Sequence, residues 1–495
     1  MYTCGPTVYD VAHIGNFRAF LTYDIVKRVL AYLGYKNIVH VCNLTDVDDK
    51  IIVKCNEQQI SLPELTTKYS ELFLQDLQAL HIVPATHYPK ATQHITDMMD
   101  IIVELRDKGL AYELSDSWYF RTQQQPTYGT QLVQLNYEEM EQQDSDETDN
   151  DNAQKEHFAD FCLWKAYKEG IDRKEDAAWE DKERGIALGR PGWHLECSAM
   201  ARHFFGNDQT IDLHGGGVDL KFPHHENEIA QSEGVMNSYN NGKINGQYQP
   251  FCNCWFHNGF VNIGAENEKM SKSLGNFLSL QTACPTPMDV RAYRYLVVSS
   301  QYRNPLSFTE QAMKASKNAI KRMDKIKAQL EETLSSKDVT MASGLSEIAD
   351  TLVPSILDNF EAAICDDLSM PRAAAQLFAL VKAAENEYKR VAKQKDDDES
   401  LDIKGLQAIL NAMNQMDQVF GIFYTVPPRE GESDSSDNTS GSEVPVEVME
   451  LVSQRTQAKE VKDWELADSL RARITELGYT VKDVKGGEPI VSPVE

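Results

Sequence analysis

Residues 1–42 read MYTCGPTVYDVAHIGNFRAFLTYDIVKRVLAYLGYKNIVHVC. Met1 to Cys4 reads as a short strand, and Gly5-Pro6 breaks it. From Phe17 to Leu33 the apolar residues Phe20, Ile25, Val26, Val29 and Leu30 recur at helical spacing, and Gly34 stops the run. Asn37 to Cys42 is rich in β-branched residues and reads as a strand. Strand, helix and strand in this order predict a β-α-β unit, hence a parallel, doubly wound, Rossmann-like sheet.

A second α/β stretch runs from Gly192 to Gln281. It holds a strand Thr210 to His214, a helix beginning near Pro223 and a strand Trp255 to Ile263. Residues Ala85 to Arg190 differ in character: a helix from Thr92 to Lys108, short strands such as Trp118 to Arg121, then an acidic run. The simplest organisation is a sheet formed by 1–84 and 191–283, split by an inserted connective domain, 85–190, with an acidic loop at 138–156. A helical bundle, 284–425, follows. Ser307 and Glu310 are spaced as a capping box for its long helix toward Leu330. A linker, 426–445, leads to a small helical or mixed domain, 446–495. That tail reads as a helix pair broken at Asp463 and stopped at Gly478.

The 495 residues suffice for about three domains. With 41% hydrophobic and 25% charged residues the balance is that of a globular chain. No run of 18 apolar residues is present, and the N-terminus lacks a secretory pattern. Nine scattered cysteines fit a reducing compartment, not a disulfide scaffold. A net charge of −27 excludes a surface coated in basic residues. Much of the excess is local: Glu138 to Glu156 carries nine acidic groups against Lys155 alone. Basic stripes remain at Lys314, Lys317, Lys321 and Lys325, and at Arg455, Lys459 and Lys462. Such stripes track phosphates or simply face water.

Three groups of residues carry chemistry. His13-Ile14-Gly15-Asn16 opens a helix. Free N–H groups there attract phosphate, and the bland alternative is an ordinary helix cap. Lys269-Met270-Ser271-Lys272-Ser273 sets two cations around small polar residues, suited to stabilising charge on a polyphosphate. Together the two are signatures of the class I aminoacyl-tRNA synthetases, which the chain resembles in their order and spacing. In the third group, Cys4, Cys197 and the run Pro223-His224-His225-Glu226-Asn227-Glu228 offer thiolates, imidazoles and carboxylates suited to Zn²⁺. His224 and Glu228, at i and i+4, share a helix face.

The chain is similar to the cysteinyl-tRNA synthetases over nearly its whole length. The matching text is Cys4 to Asp10, Asn43 to Lys50, Arg190 to Met200, His214 to Leu220 and Phe222 to Gln231. The resemblance implies one Zn²⁺ held by Cys4, Cys197, His224 and Glu228, preferring His224 to His225 and Glu228 to Glu226. It implies Thr45 and Trp193 beside a substrate cysteine. His13, Asn16, Lys269 and Lys272 would act in catalysis, with ATP also at Gly15, Gly215, Gly216, Asp219 and Lys272. The implied reaction joins L-cysteine to cysteine tRNA with Mg²⁺-ATP. A soft zinc site takes a thiolate far better than the hydroxyl of serine, so no editing site is needed. The helical region would carry the tRNA stem and the tail would read the anticodon. The expectation is a cytoplasmic monomer without membrane contact, or an organellar form that has lost its targeting peptide.

Departures from relatives are Asn16 where many have His, a lead of only three residues before Cys4, which predicts a poorly anchored first strand, and no aromatic residue at the end. Two rival readings are a cysteine ligase acting on a small amino sugar and a non-catalytic RNA-binding relative. The tail weighs against the first, and intact Cys4, Cys197, Lys269 and Lys272 weigh against the second.

Overall fold

The computed structural model describes residues 1–135, 155–240, 243–263, 268–269, 277–335, 345–393, 400–428, 446–460, 464–477, 479–482 and 490–493. These form two compact units, Met1–Pro427 and Pro428–Glu495.

In the first unit the order is β1 (Tyr2–Thr3), α1 (Ile14–Tyr32), β2 (Val41–Cys42), α2 (Asp49–Gln58), α3 (Leu62–Ala79) and α4 (Ile95–Asp107). Then come β3 (Ala111–Leu114), β4 (Ser117–Phe120), β5 (Phe161–Ala166), β6 (Trp179–Asp181) and β7 (Ile186–Pro191). After them stand α5 (Trp193–Phe205), β8 (Ile211–Gly217), α6 (Glu226–Met236) and β9 (Cys252–Asn258). The parallel sheet has the spatial order β9-β8-β1-β2. An antiparallel sheet of order β3-β4-β5-β7-β6 is inserted between β2 and β8 in sequence. Glu156 belongs to this insertion and not to a free acidic loop: it forms a two-pronged ion pair with Arg121 at 2.7 and 2.8 Å. Most of the acidic run lies outside the described residues.

β1 is central despite its two residues. Tyr2 pairs with Val41 on one side and His214 on the other, and is fully buried. The Met1 ammonium donates to the Val39 carbonyl at 2.9 Å. The expectation of a poorly anchored first strand is therefore corrected. Two flanking ladders hold it where a terminal edge strand would fray.

α1 is buried on most of its circumference, including Arg18, Asp24 and Lys27. It packs between the sheet and a helical layer: α7 (Pro287–Val298), α8 (Glu310–Ser335), α9 (Val353–Ile364), α10 (Met370–Lys393) and α11 (Ile403–Phe420). The capping box expected at Ser307 is absent. Ser307 lies in the strand Leu306–Phe308, paired in parallel with Val261–Ile263, and the Thr309 hydroxyl instead accepts from Ala312 N–H at 3.1 Å. Strand pairing outcompetes the cap for Ser307, and the helix starts three residues later. On α8, Lys314, Lys321 and Lys325 are exposed, while Lys317 pairs with Asp289.

In the second unit, the helices Val446–Glu460 and Trp464–Glu476 pack together, and Tyr479–Lys482 pairs antiparallel with Ile490–Pro493. Arg455 is buried, on the face that carries Val448 and Val452, so it does not belong to an exposed basic stripe. Lys462 lies outside the described residues. Among the described residues no helix is long and apolar enough to cross a membrane.

A buried ion cluster ties α1 to the helical layer. Arg294 donates to Asp24 at 2.6 Å and to the carbonyls of Phe420 at 3.0 Å and Leu80 at 2.8 Å. Arg28 also reaches Asp24, at 2.8 Å, and both acid and Arg294 are fully buried. Burial raises the Asp24 carboxyl, but Arg294 and Arg28 outweigh it and hold it below its ordinary value. A depressed carboxylate stabilises the fold above its unfolded pKa of about 3.9 and loses that contribution as pH falls through the folded value. Arg294→Leu should cost about 3–5 kcal/mol in unfolding free energy, because it strands a buried charge. It should also move the acid-unfolding midpoint to higher pH. Denaturant titrations at neutral and acid pH check both, and an unchanged midpoint in both would remove the cluster as an anchor.

Candidate active site

The carboxyl end of β1 is the place where neighbouring strands are reached in opposite directions, the crevice in which doubly wound sheets bind ligands. Cys4 stands there, directly after β1. Its N–H donates to the carbonyl of Gly215 in β8. α5 begins at Trp193 and brings Cys197 to the same point. α6 begins at Glu226, after the single turn Lys221–His225, and brings His224, His225 and Glu228. Ser198 of α5 donates to Gln231 of α6 at 2.8 Å, locking the two helices.

The four expected donors meet. One ligand atom each from Cys4, Cys197, His224 and Glu228 lies within 4.8 Å of the others, and all four residues are buried. Cys4 Sγ is 3.9 Å from Cys197 Sγ and 3.6 Å from Glu228 Oε1, and His224 Nε2 is 3.0 Å from Glu228 Oε1. Around a tetrahedral Zn²⁺ with ordinary bond lengths the corresponding edges are about 3.8, 3.5 and 3.3 Å. The donor set and its spacing fit the ion. Glu226, the alternative carboxylate, is committed elsewhere: it accepts N–H bonds from Gly129, Leu132 and Val133.

His214, which sequence reasoning did not single out as a donor, and His225, weighed there as the alternative to His224, complete the cluster. His214 Nε2 meets Glu228 Oε2 at 2.9 Å, and His225 Nε2 stands 3.4 Å from Cys4 Sγ. Cys4, His214, His225 and Glu228 therefore form a second, overlapping four-donor set. It is walled in by Trp255, stacked on His214 with centroids 4.4 Å apart and 5.0 Å from His225. The first set has a half-open flank: Trp193, 38% exposed, stacks on His224 at 4.2 Å. Only the first contains both sulfurs. The neighbouring histidine in the Pro223-His224-His225 run was the signal for His225, and the expected strand Thr210 to His214, with a histidine at its carboxyl end, that for His214.

The electrostatics favour a cation. Burial raises the Cys4 thiol, with its bond to Cys197 adding to that. The same bond brings the Cys197 thiol down to about 6. Burial lowers His224, but Glu228 and Cys197 more than reverse it, to about 10. Burial raises Glu228, and His214 and His224 overcome this and hold it well below its usual range. Cys197 and Glu228 are thus both drawn toward their charged forms beside His224. The second nitrogen of His224, Nδ1, meets Nδ1 of His194 at 2.9 Å, which orients the ring. Thr45 is buried, and its hydroxyl accepts from Asn43 at 3.2 Å.

At the start of α1, Asn16 N–H donates to His13 Nδ1 at 3.2 Å, and His13 N–H donates to Asn16 Oδ1 at 3.0 Å. This is a reciprocal capping box. It leaves the His13 proton on Nε2 and the Asn16 amide as a donor. A cap and a phosphate site are not alternatives here, since the same bonds set both groups. Lys269 is paired in sequence register with Asn262 on a two-residue strand, and Lys272 lies outside the described residues.

The glycines of β8 are also required by packing. A Cβ at Gly215 would lie 2.2 Å from the Phe256 ring, and one at Gly216 2.5 Å from His225. Internal packing alone therefore demands glycine at both. Asp219 is exposed just beyond β8.

A parallel sheet with its site at the carboxyl end of β1, an inserted sheet and a following helical layer define a class I aminoacyl-tRNA synthetase. Residues 1–318 match the family described as tRNA synthetases class I (C) catalytic domain, 359–424 a DALR domain, and 442–488 the cysteinyl-tRNA ligase anticodon binding domain. The chain is 37% identical over 488 residues to a cysteine–tRNA ligase of Chlamydia muridarum, covering 98% of this chain and 94% of that one. Identity to the Brachyspira hyodysenteriae cysteine–tRNA ligase is 36% over 490 residues, covering 98% and 93%. The chain belongs to the cysteine–tRNA ligase family. A solved Mycobacterium tuberculosis methionyl-tRNA synthetase bound by methionyl-adenylate shares the fold, with a TM-score of 0.57 at 13% identity over 85% of this chain and 92% of that one.

Gly215→Ala should lower unfolding stability by about 1–3 kcal/mol through overpacking against Phe256. Phe256→Leu in the same chain should recover part of that loss. A double-mutant cycle by denaturant unfolding measures the coupling, and strict additivity would contradict the packing account.

Proposed function

We propose that this chain activates L-cysteine with Mg²⁺-ATP to cysteinyl-adenylate and pyrophosphate, then transfers the cysteinyl group to the 3′-terminal ribose of cysteine tRNA. The buried cluster of two thiols, an imidazole and a carboxylate at the end of β1 carries the reading, because it suits recognition of one more sulfur. Cys4, Cys197, His224 and Glu228 hold one Zn²⁺, which when bound supplies a soft Lewis acid that selects a thiolate over a hydroxyl. Trp193 lies on the open flank, and Thr45 next to Asn43; both flank the cysteine. His13 Nε2–H, the Asn16 amide and the first N–H groups of α1 hold phosphate oxygens, with Gly15 giving room. Lys269 and Lys272 stabilise the charge that builds on the α-phosphate as the cysteine carboxylate attacks. Asp219, with the backbone of Gly215 and Gly216, borders the adenosine. No side chain becomes a covalent nucleophile; positioning and electrostatics supply the catalysis.

The match of the tail to an anticodon-binding domain supports tRNA as acceptor over a small amino sugar. The protein acts as a cytoplasmic monomer in this reading.

Cys197→Ser should lower bound zinc and cysteine-dependent pyrophosphate exchange together. Metal analysis beside the exchange assay checks this, and full exchange by a zinc-free protein would overturn the assignment. A chain ending at Pro427 should keep exchange and lose most of its charging efficiency with tRNA. Equal loss of both would make the tail a structural brace.

A further inference from the structure

Away from the β1 site, three side chains converge where the inserted domain meets α5. His94 precedes α4, Asp97 sits in its first turn, and His203 lies in the last turn of α5. Both imidazoles address the same oxygen: His94 Nδ1 and His203 Nδ1 are 2.8 and 3.0 Å from Asp97 Oδ2. The two rings stand edge to face with centroids 4.5 Å apart. One ligand atom from each residue lies within 4.8 Å of the other two.

We propose that His94, Asp97 and His203 form a second binding site for a divalent transition metal such as Zn²⁺, Co²⁺ or Ni²⁺. Two imidazole nitrogens and a carboxylate oxygen are a donor set that these ions accept. Metal–ligand bonds of about 2.1 Å would need nitrogen–oxygen edges of about 3.3 Å. The observed gaps of 2.8 and 3.0 Å would have to open by only a few tenths of an ångström. Each neutral ring needs only to carry its proton on Nε2 so that Nδ1 presents a lone pair. His94 is buried, but the side chains of His203 and Asp97 are 49% and 37% exposed, so water can complete the coordination. Phe204 backs the site, its ring centroid 5.9 Å from that of His94 and 5.0 Å from that of His203.

Bound metal would staple the first turn of α4 to α5, the helix that carries Cys197 six residues, about 9 Å, before His203. The second ion would therefore brace the insertion against a helix of the β1 site without touching it.

The test is a Zn²⁺ titration of the full-length, chelator-treated chain by calorimetry, with stoichiometry as the readout. The expected result is two equivalents in the unmodified chain, and one in His203→Ala and in Asp97→Asn. Co²⁺ separates the sites, since only the thiolate site gives a sulfur-to-cobalt charge-transfer band. Cys4→Ala, which removes a donor from both sets at the β1 site, keeps the reading independent of that site: Zn²⁺ should still raise its Tm, and should no longer do so in Cys4→Ala/His203→Ala. One equivalent in the unmodified chain, or a second equivalent that survives both His203→Ala and Asp97→Asn, overturns the proposal.

Discussion

Glu228 is a carboxylate with no exposure and both oxygens engaged, and the site is arranged around the need to keep it charged. Oε1 faces His224 and Cys4, while Oε2 faces His214. A buried carboxylate without such partners would protonate or unfold its surroundings. Its partners come from the end of β1, from β8 and from the turn before α6, which a parallel sheet with a central first strand brings to one point. The requirement therefore reaches beyond the four donors. It explains why a two-residue strand sits in the middle of the sheet, and why α5 and α6 are locked by Ser198 and Gln231.

The same economy governs α1. Its first turn is closed by His13 and Asn16, and its middle carries Arg18, Asp24 and Lys27 into the interior. Arg18 donates to the carbonyls of Phe260, Tyr302 and Asn304, bridging the segments on either side of the Lys269 strand. Lys27 donates to Val83 at 3.0 Å and Pro84 at 2.6 Å. Each buried cation ends on backbone oxygens or on a carboxylate, so the helix carries paired polar groups inward rather than being a simple amphipathic element.

Local rules read much of this correctly. Apolar periodicity and Gly34 delimit α1, and the β-α-β order predicts the parallel sheet. His224 and Glu228 were legible as a pair because i and i+4 share a helix face. Ser307 shows where local rules stop: its spacing from Glu310 fits a cap, yet the strand Val261–Ile263 claims it. Arg455 shows the same limit, since a basic residue in a tail helix reads as exposed until its neighbours Val448 and Val452 are seen to turn inward.

The sequence by itself determined the elements, their order and the donor chemistry, because periodicity, breakers and residue type act over a few positions. Only the tertiary structure decided that Cys4 and Cys197, 193 positions apart, lie 3.9 Å from each other. It alone decided that His214 and His225 share Glu228 and Cys4 with them, and that Gly215 answers to Phe256. These depend on strand register and on helix placement across the sheet. Contacts between distant segments leave no periodic trace in a single chain; they exist only when the folded geometry closes the distance.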